Sequence, residues 1–76
     1  MDFSVVPRKI EEVMNKKEEG DAYYSVCLGY DPSYIGSIID GLESPTLEFL
    51  EKFAAITNTE MEFLFGMVEY IEDVEF

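Results

Sequence analysis

The sequence predicts an all-α fold, five short helices in one compact domain spanning residues 1–76. Three observations predict it. Apolar residues recur at the 3.6-residue period of a helix in one segment after another. Proline, small polar residues, glycine and asparagine punctuate those segments at the positions that favour helix starts and stops. No pair of alternating apolar runs flanks a two-residue turn, so no β-hairpin is indicated.

The first helix is read from Val6, Ile10, Val13 and Met14, which recur at i, i+4, i+7 and i+8 and mark one face. Ser4 is its expected cap, and Pro7 falls in the first turn, where a missing N–H has no intrahelical partner. Lys16 and Lys17 suit its negative C-terminal end. Gly20 breaks the chain, Asp21 is the expected N-cap of a short second helix AYYSVCL, and Gly29 supplies the left-handed residue that ends it. Asp31 followed by Pro32 repeats the start signal for a third helix, and Gly41 repeats the stop. A fourth helix opens at Ser44 and Pro45, or with Thr46 as its cap, and buries a face of Leu47, Leu50, Phe53 and Ala54 before Asn58 terminates it. Thr59 and Glu62 have capping-box spacing for a fifth helix over residues 60–76. Its face is Met61, Leu64, Phe65, Val68 and Ile71.

Composition narrows the class of function. A chain of 76 residues with 47% apolar and 14% aromatic content is a folded domain rather than a disordered acidic tail. At this size it buries only about 60% of its unfolded surface, so the core must be small. A single Cys27 excludes an internal disulfide and is expected as a small buried hydrophobe, and a cytoplasmic setting is the simplest expectation. No apolar stretch approaches the roughly 18 residues of a membrane span, and no membrane partner is expected. Catalysis lacks its usual groups: there is no His, no base beside the one Cys and no Gly-rich phosphate loop. No catalytic residue, cofactor or metal site is therefore expected, the acidic pairs Glu18-Glu19 and Glu72-Asp73 reading as solvated surface.

Seventeen acidic residues against five basic ones give a net charge of −12 and a pI near 4.1. The distribution is uneven: Arg8, Lys9, Lys16 and Lys17 lie in the first segment, and no cation occurs between Glu18 and Glu51.

Within that acidic stretch, Leu28-Gly29, Ser33-Tyr34-Ile35, Ile38, Gly41, Pro45, Leu47 and Leu50 follow one another without a gap in a specific register. In this register the chain resembles the Cro/repressor type of helix-turn-helix, the XRE family, over about residues 20 to 66. The resemblance implies a compact five-helix domain whose third helix reads DNA. It implies a dimeric transcriptional regulator, often one belonging to a mobile element. Ser25 and Gly29 fit the small residues such a turn requires, and Ile35 and Ile38 are expected beneath the third helix as core.

The chemistry departs from the family at the positions that would meet DNA. Relatives place amides and cations there, because those groups reach phosphates and base edges. Here position 21 is Asp, 32 is Pro, 36 is Gly, 37 is Ser, and the following loop reads Leu42-Glu43-Ser44. Tyr30, Asp31, Tyr34, Ile39, Asp40, Leu42 and Glu43 thus form a candidate protein-binding face, apolar anchors rimmed by carboxylates that would steer a basic partner such as a nucleic-acid-binding protein. On this reading the chain is an antirepressor, an inhibitor or a DNA mimic. The alternative is the family default, an operator-reading regulator with Ser33, Tyr34 and Ser37 as its DNA contacts. A second apolar stripe of Phe63, Met67, Tyr70 and Val74 serves either a homodimer contact or an enlarged core.

Overall fold

The computed structural model describes residues 4–67, which form five helices and, among these residues, no strand. They are α1 (Val6–Asn15), α2 (Asp21–Cys27), α3 (Tyr34–Ile39), α4 (Leu47–Thr57) and α5 (Met61–Leu64). α3 packs against α2 and α1, and α5 against α1 and α4. Twelve apolar side chains share one core: the expected α1 face, Ile35 and Ile38 from α3, Phe49, Leu50, Phe53 and Ala54 from α4, and Phe63 and Leu64 from α5. Among the described residues no helix is long and apolar enough to cross a membrane.

The ends of α2, α3, α4 and α5 share one device. At Gly29 the amide of the next residue, Tyr30, donates to the Ser25 carbonyl (2.9 Å), while the Gly29 amide donates to the Val26 carbonyl (3.0 Å). This pair of bonds is the Schellman closure, and it requires a left-handed residue, here Gly29 at φ +89°. The same pair recurs at Gly41, with Leu42 donating to the Ser37 carbonyl at 2.8 Å. It recurs at left-handed Asn58, where Thr59 donates to the Ala54 carbonyl at 2.9 Å. It recurs once more at Gly66, φ +77°, with Met67 donating to the Glu62 carbonyl at 2.8 Å.

That last closure corrects the expected fifth helix. α5 is a single turn, because Gly66 stops it long before residue 76. Val68, Tyr70, Ile71 and Val74 lie outside the described residues. The starts need correction as well. α1 is preceded by Val5, whose backbone is already right-handed, so Ser4 stands one residue too early to cap it. Asp21 lies inside the first turn of α2, behind an extended Gly20. Thr46 does cap α4, its hydroxyl oxygen accepting from the Phe49 amide at 3.1 Å. Thr59 does not cap α5: its hydroxyl is 2.9 Å from that of Thr57, which donates to the Phe53 carbonyl, and Glu60 holds the cap position. In α4 the buried arc is centred on Phe49, Leu50, Phe53 and Thr57, which leaves Leu47 exposed at its edge in the first turn.

Candidate functional site

The site is set by how α2 holds α3. Ser25 is fully buried on the inner side of α2, and its Oγ accepts the backbone N–H of Ile35 at 3.1 Å. That amide belongs to the first turn of α3, where a donor has no intrahelical acceptor. A side chain from one helix thereby caps the next, and Ile35 and Ile38 are locked into the core beneath it. On the other side of the same contact, the Asp21 carboxylate lies over the middle of α3, where a Cβ added at Gly36 would meet its Oδ2 at 3.8 Å.

The entry to α3 differs from expectation. Asp31 does not cap the helix; Ser33 occupies that position. The Asp31 Oδ1 instead accepts from the Ser33 amide (3.0 Å) and the Ser33 hydroxyl (2.7 Å). The backbone N–H foremost, then the hydroxyl, hold the Asp31 carboxyl below its ordinary pKa, because both stabilise the ionised form. Ser33, a candidate DNA donor, therefore has its hydroxyl directed at a neighbouring carboxylate.

Tyr30 and Tyr34 stack face to face, with ring centroids 4.3 Å apart. Both stand edge-on to Phe49 at 5.4 and 5.0 Å, an arrangement favoured by the ring quadrupoles. Each is half-buried against the core. Burial first, then the neighbouring Tyr30 and Glu43, push the Tyr34 phenol above its usual pKa, against a hydrogen bond with Thr46 that lowers it. Ile39, expected on the outer face, is also half-buried and packed on the core, because the short α3 has too few apolar residues to seal its inner side otherwise. Ser37 is half-buried. What remains outward is Asp31, Asp40, Glu43 and Leu42, the last 78% exposed.

Two of the chain's cations are engaged within the domain. Lys9 lies 3.7 Å from Glu12 and 4.8 Å from the Phe63 ring centre, and Lys52 pairs with Glu48 at 3.3 Å and faces the Tyr30 ring at 5.9 Å. Arg8 and Lys16 are exposed on and after α1, and Lys17 is half-buried. An open cleft of about 400 Å³ lies between α1 and Gly66, lined by Ser4, Val5, Arg8, Lys9, Glu12 and Gly66.

The stripe expected to meet a second copy divides. Phe63 is 1% exposed and belongs to the core, since α5 is too short to present two apolar faces. Met67 is exposed, while Tyr70 and Val74 lie outside the described residues. Sequence reasoning also placed Cys27 inside, yet it is exposed on the outer side of α2, beside Tyr23 and Val26. The signal for that surface was present: positions 23, 26 and 27 have helical same-face spacing, opposite the small Ser25 that turns inward. Comparison with protein-family models, curated proteins and solved structures returned no match.

Proposed function

We propose that this chain is a helix-turn-helix domain of the Cro/repressor type whose outer face has passed from DNA to protein, acting as an antirepressor, inhibitor or DNA mimic. The fold part rests on the register of α2, Gly29 and α3 and on the Ser25–Ile35 bond that joins the two helices. One observation carries the functional part. Between Asp31 and Glu43 every charge is a carboxylate, Leu42 stands exposed among them, the Ser33 hydroxyl bonds to Asp31, and Tyr34 is half-buried against the core.

An ordinary DNA-binding surface neutralises several phosphates with Lys or Arg, and counterion release supplies most of its non-specific affinity. This face would add repulsion instead. An exposed apolar anchor inside an acidic rim suits a basic protein surface, with burial giving affinity and the rim giving orientation.

The test has two arms. Fluorescence anisotropy of a labelled random-sequence duplex at about 50 mM salt, where non-specific binding is strongest, should show no binding at high micromolar protein. Affinity capture with the wild type and with Leu42→Lys as baits should recover a basic protein that the variant loses, with helical content unchanged. Clear, salt-sensitive duplex binding would overturn the reading. It would favour the family default, an operator-reading regulator, for which the exposed Arg8 and Lys16 are the supporting observation.

A further inference from the structure

α2 has two faces with opposite uses. Tyr24, Ser25 and Leu28 turn toward α3 and the core. Tyr23, Val26 and Cys27 turn outward, Tyr23 51% and Val26 56% exposed, at the i, i+3, i+4 spacing of a single helix face. Three such side chains on one face form an apolar stripe that the core does not use. The stripe is also held in place. The Tyr23 ring stands edge-on to Tyr24 with centroids 5.2 Å apart. An aromatic side chain fixed in this way loses little further freedom when it is covered.

Charge decides what covers it. Glu18 and Glu19 are exposed immediately before α2; the exposed Lys16 and half-buried Lys17 precede them, and beyond them Asp21, Asp31, Asp40 and Glu43 follow with no cation until Lys52. The Tyr23 phenol is held above its ordinary pKa, foremost by its interaction with Cys27 and to a lesser degree by the carboxylate of Glu19. A second copy of this chain would set the same carboxylates against one another, with a net charge of −12 on each side. Duplex DNA and an anionic membrane surface meet the same repulsion. A cationic segment gains on both counts, through Coulomb attraction at the rim and apolar burial at the centre.

We propose that the Tyr23–Val26–Cys27 stripe of α2 docks a basic amphipathic helix of another protein, whose apolar side covers the stripe while its Lys and Arg residues face Glu18 and Glu19. This is helix recognition through apolar anchors at i, i+3 and i+4, with the charged margin setting orientation. The surface shares no residue with the Asp31–Glu43 face, so it stands whether or not that face binds protein.

Cys27 lies within the stripe and is a built-in reporter. The probe is a fluorescent Lys/Leu peptide of about 18 residues with its leucines on one helical face, long enough to form several turns on binding. Its control carries serine in place of leucine at equal charge. At about 150 mM salt, where long-range attraction is screened, the leucine peptide should bind about tenfold or more tightly than the control. It should slow alkylation of the Cys27 thiol. Val26→Asp and the milder Val26→Ser should each erase the leucine advantage, and Leu42→Lys should leave it intact. Because Val26 is exposed, both variants keep the fold, which circular dichroism checks. Equal binding of the two peptides, unchanged Cys27 alkylation in the saturated complex, or indifference to Val26→Asp would overturn the proposal. So would self-association in sedimentation equilibrium that Val26→Asp abolishes, since the occupant would then be a second copy.

Discussion

The inner and outer sides of the α2–α3 pair are built from one short stretch of chain, α2 (Asp21–Cys27) to α3 (Tyr34–Ile39), yet they follow different rules. Inside, Ser25 Oγ takes the Ile35 amide, the Ser25 carbonyl takes the Tyr30 amide, Ile35 and Ile38 are fully buried, and among the described residues no buried side-chain nitrogen or oxygen lacks a partner. Outside, the surface from Tyr23 to Glu43 carries exposed apolar groups and carboxylates and no cation at all. A scaffold that sets two helices at a turn is thus separable from the chemistry displayed on it, and the display here is acidic and partly apolar.

The comparison breaks most easily from the inside. Phe49 is fully buried and is the ring on which Tyr30 and Tyr34 both rest. Phe49→Ala removes its transfer free energy and leaves a cavity, a loss of about 3–5 kcal/mol. Against the total of roughly 5–15 kcal/mol typical of whole domains, that is a large fraction for a domain this small. Urea unfolding followed by circular dichroism should show the midpoint falling sharply. Leu42→Lys on the outer side should stay within about 0.5 kcal/mol of wild type. Equal losses from the two changes would mean that Leu42 packs where it is described as exposed.

Ser25→Ala is the sharper probe because it deletes one atom. The Ile35 amide would remain buried with its acceptor gone, which costs about 1–3 kcal/mol. Amide hydrogen exchange should show the loss concentrated at Ile35 and the first turn of α3. Uniform acceleration across α1 and α4 would instead indicate that Ser25 matters only through its volume.

Much of the inner side was legible in the sequence, and the reasons are local. Glycine at positions 29 and 41 and asparagine at 58 announce left-handed closures, and the spacing of Val6, Ile10, Val13 and Met14 announces a buried face. Errors arose where a side chain had a tertiary choice. Thr59 resembles a cap but bonds to Thr57, and Asp31 resembles a cap but binds Ser33. Gly66 passed unnoticed as a stop because the apolar period continues across it in Phe65, Met67 and Val68. The outer site was legible as charge, since a stretch without cations needs no coordinates. Which apolar residues stay outside was legible only in part: positions 23, 26 and 27 share one helical face opposite the small Ser25, whereas nothing local distinguishes Ile39, which turns to the core, from the exposed Leu42.

Gly36 joins the two sides, and its replacement has the smallest expected effect. It lies in the middle of α3 without a left-handed backbone, so glycine costs the helix about 0.5–1 kcal/mol relative to alanine. A Cβ there would meet only Asp21 Oδ2 at 3.8 Å, an ordinary contact distance. Gly36→Ala should therefore stabilise the domain by about 0.4–1 kcal/mol, read as a higher urea midpoint at unchanged slope. A gain would show that the fold does not need a bare backbone at this point. A loss would place the constraint inside instead, with α2 and α3 too close at Asp21 to admit a methyl group, and the division between inner scaffold and outer display would run through Gly36 itself.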